Sequence, residues 1–288
     1  MTTSPAVRRL AAFTDRPEGG NPAGVVLDAG GLSDAAMQDI AREVGYSETA
    51  FVTGTRGARE LEVRYFSPEA EVPFCGHATI ATAVALADRD GAGDFVLHTA
   101  AGPVELRTAQ EHGASTATLT SVRPHVELVS EGDVDAALAL LGWTRSDLDP
   151  ALPPRIAFAG ARHLVLAAGS RERLADLDYD FDGLKAYMLE RDLTTVDLVW
   201  REDLATFHAR NPFPVGGVVE DPATGAAAAA FGAYLRELGA VAPPVRVTVH
   251  QGYDMGRPSL LHVDLDPARR GVDVTGTAVA IEDAPADR

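Results

Sequence analysis

Residues 73–88 read PFCGHATIATAVALAD, and this stretch decides the fold. From Gly76 onward the run is rich in strong helix formers, and small or apolar residues occupy nearly every side of the helix. A helix without a polar face is typical of the interior of a domain. We therefore predict a buried helix that begins near Gly76, directly after the chain's single cysteine, Cys75.

A second segment of the same kind lies about half a chain further on. Residues 220–235 read EDPATGAAAAAFGAYL and predict an alanine-rich helix that begins near Thr224. Segments with strand-like patterns surround both helices, which favours a mixed α+β protein over a βαβ Rossmann pattern. We interpret this as a duplication, with two similar domains that each wrap a strongly curved sheet around a central helix.

Composition and missing motifs narrow the classes of function. The 288 residues include 42 acidic and 25 basic side chains, a net charge of −17, and so acidic a chain repels nucleic-acid phosphates. No apolar run reaches the roughly 18 residues of a membrane span, and there is no signal-peptide pattern. One cysteine allows no internal disulfide. We expect a cytoplasmic protein without nucleic-acid or membrane partners, and motifs for nucleotide binding and serine hydrolysis are absent.

The two predicted helix starts are candidate anion sites. The first turn of a helix presents free backbone N–H groups and a partial positive charge, which bind carboxylates or phosphates. Small residues at Gly76 in the first helix, and at Gly225 and Ala226 in the second, would let a ligand approach the backbone. Two such starts across an interdomain cleft would form a pocket for a small anion, although ordinary helix caps explain the same spacing.

Three side chains near these segments have alternative interpretations. Cys75 is a buried inert thiol, a thiolate favoured by the helix start or, with least support from the sequence, a metal ligand. Glu48, in the apolar run SETAFV, is a solvated surface residue or a general base in a dry pocket. Asp221 lies just before the second helix, where N-capping is the ordinary role.

Five motifs in order carry a family resemblance that runs over nearly the whole chain. They are GNPAGVVL (20–27), SETAFV (47–52), YFSPEAEVPFCGHATIATA (65–83), EDPATGAAAAAFGAYL (220–235) and QGYDMGRPS (251–259). The chain resembles the phenazine-biosynthesis isomerase (PhzF) family. This implies the diaminopimelate-epimerase fold: two pseudo-symmetric domains, each a barrel-like sheet around a central helix, with the active site in the cleft. We expect residues 1–122 with 275–288 to form one domain and residues 123–274 the other.

The resemblance also implies roles for individual residues. Glu48 matches the general acid/base of the family, and His77 and Asp221 match polar groups that orient the substrate. The helix-start amides would hold the substrate carboxylate; they belong to Gly76, His77, Gly225 and Ala226.

Two positions refine these expectations. Cys75 lies where related epimerases place one catalytic thiol and Asp221 near the place of the second, so a two-thiol mechanism is not available to this chain. Ala226 replaces a serine that the family often has after E-D-P-x-T-G, which removes a hydroxyl and keeps the amide. A smaller or differently substituted acid could then replace dihydro-hydroxyanthranilate, the best-known substrate of the family.

The predicted function is a cofactor-independent isomerase that moves a proton within a small unsaturated, cyclic amino or hydroxy carboxylic acid. The resemblance implies a homodimer and no cofactor or metal. Two alternatives stay open. One is an epimerase or racemase that uses Cys75 with Asp221 or Glu48, and the other is a non-catalytic relative that only binds a small ligand.

Overall fold

The computed structural model describes residues 5–111 and 113–282. Its contacts divide the chain into two units, which are Met1–Thr120 with Thr275–Arg288, and Ser121–Val274. The predicted boundaries between the two domains lie at residues 122/123 and 274/275. Residues 1–4, 112 and 283–288 of the predicted domains lie outside the described residues.

The described residues contain seventeen strands and six α-helices. The strands are β1 Arg8–Ala12, β2 Asn21–Val26, β3 Glu48–Gly57, β4 Glu60–Phe66, β5 Glu71–Val72, β6 Asp94–Thr99, β7 Gly102–Glu111, β8 Ala114–Thr120, β9 His125–Leu128, β10 Arg155–Phe158, β11 Arg162–Ala167, β12 Thr195–Arg201, β13 Thr206–Phe213, β14 Val218–Asp221, β15 Val245–Gln251, β16 Ser259–Leu265 and β17 Asp273–Ala280. The helices are α1 Asp34–Val44, α2 Gly76–Asp90, α3 Glu131–Leu140, α4 Arg171–Ala175, α5 Phe181–Glu190 and α6 Gly225–Glu237.

Eight strands of the first unit close into a barrel. The ring runs β1, β2, β3, β4, β6, β7, β8 and β17, and β17 pairs back onto β1. Pairs β2–β3 and β4–β6 are parallel, which requires a crossover connection. Helices α1 and α2 occupy these two crossovers.

Helix α2 is the central helix of this barrel. It contacts β1, β2, β3, β7 and β8, and every residue from His77 to Ala87 is buried. Alanine and threonine side chains let strands approach on all sides, which explains the absence of a polar face. The prediction of a barrel-like sheet around a buried alanine-rich helix is confirmed here.

The second unit repeats this arrangement around α6. A row of strands runs β9, β10, β11, β12, β13, β15 and β16, with β14 added along β13. Helix α6 contacts β9 and β16 at the two ends of the row as well as strands between them, so the sheet curves around the helix. Gly232 lets β16 approach α6 closely, because a Cβ at this position would clash with Val263.

Helices α3 and α5 cover a different part of the second unit. Leu138 of α3 and Leu184 of α5 share a buried apolar cluster with Leu198 of β12. Along a strand successive side chains point to opposite faces. Because Leu198 faces α3 and α5, Asp197 and Val199 lie on the opposite face of β12. Within the described part of the chain, no helix is long and apolar enough to span a bilayer.

Candidate active site

Glu48 stands at the first position of β3, in the first unit. It pairs with Ala23 of the parallel strand β2 and is followed by the buried Thr49 and Ala50. Its side chain is 19% exposed. The structure therefore supports neither a fully solvated surface residue nor a sealed core residue, because the carboxylate is largely enclosed yet accessible.

Cys75 and His77 flank the start of α2. Cys75 is the N-cap residue, with an extended backbone (φ −146°) and no side-chain capping bond. Its carbonyl oxygen accepts hydrogen bonds from Thr79 N at 3.0 Å and Thr79 Oγ1 at 2.6 Å. The hydroxyl of the buried Tyr65 lies 2.7 Å from Thr79 Oγ1, and burial raises the pKa of Tyr65. These buried contacts fix the turn that presents Cys75 and His77.

The fold brings three sequence-predicted residues of the first unit together. His77 Nε2 lies 3.5 Å from Glu48 Oε2 and 3.4 Å from Ser47 Oγ. His77 Nδ1 lies 3.4 Å from Cys75 Sγ. The histidine side chain is only 7% exposed, so its polar atoms depend on these neighbours.

This geometry suits a proton-transfer site. A neutral imidazole carries one proton on one of its two nitrogens. With the Cys75 thiol donating to Nδ1, the Nε2–H group faces the Glu48 carboxylate and the Ser47 hydroxyl. Glu48 supplies a carboxylate that can accept a proton, and His77 supplies a neighbouring donor that orients it or a bound polar group.

The backbone at the start of α2 is open. A Cβ atom built on Gly76 would meet no heavy atom within 4 Å. The first N–H groups of an α-helix have no partner within the helix, and the positive end of the dipole lies there. The start of α2 can therefore accept an anionic group beside Glu48 and His77.

Asp221 and Gly225 lie in the second unit, around the start of α6. Asp221 is the last residue of β14, and the N-cap of α6 is Thr224, which makes no side-chain capping bond. N-capping by Asp221 is therefore wrong. Asp221 Oδ2 instead accepts a hydrogen bond of 2.5 Å from Thr224 Oγ1. Gly225 is buried and Ala226 is half-buried in the first turn.

Gln251 holds the turn between Asp221 and Thr224, and no role was predicted for it from the sequence. Its Nε2 donates to Asp221 O at 2.7 Å and to Thr224 Oγ1 at 3.0 Å, while its Oε1 accepts from Thr224 N at 3.0 Å. The next residue, Gly252, has φ 76°, and a Cβ there would clash with the carbonyl oxygens of Pro222 and Arg257. The first two residues of the motif QGYDMGRPS thus maintain the segment from Asp221 to Thr224.

A buried polar chain also reaches β14, and no motif indicated it. Asn211 pairs with Asp221 across β13 and β14. Its Nδ2 donates to Asp197 Oδ1 at 3.1 Å, and its Oδ1 accepts from Thr195 Oγ1 at 2.7 Å. Since the Thr195 hydroxyl donates to Asn211, its oxygen accepts from His163 Nδ1 at 2.8 Å.

Burial shifts the pKa of two groups in this polar network in the direction that favours the neutral form. Burial raises the pKa of Asp197 to about 7 and lowers the pKa of His163 to about 3. A lone aspartate in the apolar run TVDLVW was the only sequence signal for this network.

The sequence matches a known family. The model of the phenazine biosynthesis-like protein family (PhzC-PhzF) matches residues 10–284. The chain belongs to this family.

Relatives that cover most of the chain carry isomerase names. An uncharacterized isomerase of Bacillus subtilis is 30% identical over 96% of each chain. The trans-2,3-dihydro-3-hydroxyanthranilate isomerase of Pseudomonas chlororaphis is 32% identical over 88% of this chain and 87% of its own. A solved PhzF-family protein of Bacillus anthracis, 26% identical, superposes with a TM-score of 0.84 over 96% of both chains. The chain is thus an isomerase of the PhzF family with that family's fold.

Proposed function

We propose that this isomerase moves a proton within a small unsaturated carboxylic acid, with Glu48 as the general base and then the general acid. The observation that carries the proposal is the contact of Glu48 Oε2 with His77 Nε2, 3.5 Å apart, beside the start of α2. A partly enclosed carboxylate next to a helix start offers a proton acceptor and an anion site together.

In this mechanism Glu48 removes a proton from a carbon that the conjugated system acidifies. The electron pair delocalises toward the substrate carboxylate, and Glu48 returns the proton to another carbon of that system. One carboxylate can do both steps if the two carbons lie on one face. Backbone N–H groups at Gly76 and His77, with the helix dipole, would stabilise the charge that develops on the carboxylate.

His77 would orient the reacting group in this scheme. Its Nε2–H can donate to an amine or hydroxyl of the substrate, or hold the Glu48 carboxylate in place. Cys75 then acts on the histidine rather than on the substrate, because its Sγ lies 3.4 Å from Nδ1. In an epimerase, by contrast, the thiol itself exchanges the proton. Loss of turnover in Cys75→Ser, with turnover retained in Glu48→Gln, would favour that alternative.

The relative from Pseudomonas chlororaphis supports trans-2,3-dihydro-3-hydroxyanthranilate as the first substrate to test. The half-buried Ala226 offers a methyl group where the family often has a serine hydroxyl, which suits an acid with one fewer polar contact. The roles of Asp221, Gly225 and Ala226, the homodimer and the independence from cofactors stay predictions from the resemblance.

The test is proton NMR of trans-2,3-dihydro-3-hydroxyanthranilate with the purified protein in heavy water. We expect conversion, with deuterium at the carbon that receives the proton to the extent that the partly exposed Glu48 carboxyl exchanges its proton with heavy water between the two steps. Binding of the acid without conversion would favour a non-catalytic relative. The absence of both binding and conversion would reject this substrate.

A further inference from the structure

The side chains of Glu48, Cys75 and His77 offer three different metal-binding atoms in one place. A carboxylate oxygen, the thiol sulfur and an imidazole nitrogen all lie within 4.8 Å of one another. We propose that these three residues form a site for a thiophilic divalent cation such as Zn²⁺, and that the bound ion inhibits the enzyme. Binding rests on this geometry alone, whereas the inhibition rests on the proposed function.

Two of the three distances between the ligand atoms lie close to those of a tetrahedral zinc site, and the third, between the Glu48 carboxylate and Cys75 Sγ, is within 4.8 Å. Zinc bonds of about 2.0–2.2 Å to nitrogen and oxygen and about 2.3 Å to sulfur place neighbouring ligand atoms about 3.4–3.6 Å apart. His77 Nε2 lies 3.5 Å from Glu48 Oε2 and 3.9 Å from Cys75 Sγ. Contractions of a few tenths of an ångström at the histidine, with a rotation of the Glu48 carboxylate, would close the triangle around an ion.

The donor set suits zinc rather than magnesium or calcium. Thiolate and imidazole are ligands of Zn²⁺ and similar ions, whereas magnesium and calcium select oxygen. Cys75 would bind a metal as the thiolate, so binding of the ion displaces the thiol proton. Its backbone is held as the N-cap of α2.

The surroundings hold the ligands in place while leaving room for an ion. The carbonyl of Cys75 is fixed by both the N–H and the hydroxyl of Thr79. Glu48 keeps 19% of its side chain exposed, and Gly76 faces open space. Three protein ligands would leave the fourth position for water or for a substrate carboxylate.

Inhibition follows from the identity of the ligands. The proposed base must accept a proton, and a Glu48 carboxylate bound to a cation cannot do so at the same rate. His77 would likewise lose the nitrogen with which it faces Glu48. Zinc and turnover are therefore mutually exclusive in this site.

Titration with Co²⁺ reports the site without any substrate. A sulfur-to-cobalt charge-transfer band can come only from Cys75, because the chain contains no other cysteine. We expect the native protein to show this band together with the visible spectrum of tetrahedral cobalt, and one equivalent of Zn²⁺ to abolish both. Absence of the band in the native protein overturns the proposal.

Three variants and a control distinguish this three-residue site from nonspecific metal binding by the thiol alone. Cys75→Ser should lose the charge-transfer band, and His77→Gln and Glu48→Gln should each bind at least tenfold more weakly. The control is His125→Gln, since His125 lies 3.0 Å from Glu127 without a thiol nearby. Native affinity in both His77→Gln and Glu48→Gln would show a lone thiolate ligand and overturn the three-residue site; if His77→Gln does not fold, Glu48→Gln alone decides.

Turnover measured with increasing Zn²⁺ tests the inhibition. We expect native turnover to fall with the affinity found for the cobalt site, and the residual turnover of Cys75→Ser to need at least tenfold more zinc. A cobalt site with unchanged or increased turnover contradicts the inhibition and the role of Glu48, but not the binding. No cobalt site, with turnover still lost in Glu48→Gln, overturns the metal proposal and leaves the proposed function intact.

Discussion

His77 Nε2 lies 3.5 Å from Oε2 of Glu48, although the two residues come from different crossover regions of the first barrel. Glu48 begins a strand and His77 begins the central helix. His77 is buried, whereas the Glu48 side chain is 19% exposed, so the pair combines a defined geometry with access for a ligand.

Substituting His77 tests whether this pair acts as a unit. We expect His77→Gln to lower kcat by about 10²-fold or more, within the range for a group that assists proton transfer, while the thermal midpoint changes little. Steady-state kinetics and thermal unfolding measure the two effects. The matched control is His125→Gln, which removes an exposed histidine beside a carboxylate. Equal kinetics in the two variants would remove His77 from the mechanism.

The open space at Gly76 allows a test of the anion site. Gly76→Ala adds a methyl group that meets no protein atom, and alanine favours a helix by about 1 kcal/mol over glycine. We expect unchanged or slightly increased stability together with a KM raised severalfold, because the methyl group enters the space for the substrate carboxylate. Gly132→Ala, in the first turn of α3, is an equally open control. If KM does not rise in Gly76→Ala, the carboxylate does not bind at this helix start.

The buried carboxyl of Asp197 should make the free energy of unfolding depend on pH. Burial raises its pKa to about 7 from the ordinary 3.8, so the folded protein keeps a proton that the unfolded chain releases. Between about pH 4 and pH 7 the contribution of Asp197 to the free energy of unfolding therefore falls as pH rises, and above pH 7 this loss is complete. Asp197→Asn should remove this loss and raise the thermal midpoint at pH 8 relative to the native protein.

Thermal scans across this pH range, with Asp178→Asn as an exposed control, measure the effect. His163 acts in the opposite direction, because its lowered pKa of about 3 makes stability fall as the pH drops below about 6.5. Because the two groups oppose each other between about pH 4 and pH 6.5, the test is the difference in thermal midpoint between the native protein and Asp197→Asn. A difference that does not change with pH would contradict the raised pKa of Asp197.

Removing the Gln251 amide is expected to destabilise the folded protein strongly. Gln251→Ala removes three hydrogen bonds that hold Asp221 and Thr224, and it leaves buried polar groups without those partners. We expect a loss of about 2–3 kcal/mol in the free energy of unfolding, measured by urea denaturation. Gln110→Ala is the control, since Gln110 is exposed and donates to Ser115. Similar losses in both variants would contradict the specific role of Gln251.

The fold could be predicted because two helices have an unusual composition. A helix of alanine, glycine and threonine with few polar residues needs strands on every side, and α2 and α6 both meet that requirement. Strand β13 has no such signal. It carries Arg210 and Asn211 in its buried part, where Arg210 forms a buried ion pair of 2.6 Å with Glu220 and Asn211 binds Asp197.

The sequence indicated candidate residues for the site but not their geometry. Spacing in the sequence cannot show that Glu48 contacts His77. Glu48 lies on β3 and His77 on α2, and the fold of the first unit brings these two elements together. The sequence suggested Asp221 as the N-cap of α6, whereas the N-cap is Thr224, whose backbone N–H donates to Gln251. The motif resemblance indicated the residue types, while their contacts required the fold.

The most direct test of Glu48 as the base is the rate at which Glu48→Gln converts trans-2,3-dihydro-3-hydroxyanthranilate, followed by proton NMR. The glutamine keeps the size of the side chain and removes the proton acceptor. We predict that the native protein and the exposed control Glu43→Gln convert the acid equally fast, while Glu48→Gln is at least about 10³-fold slower. Conversion by Glu48→Gln at a rate near that of the control would contradict the assignment of Glu48 as the base.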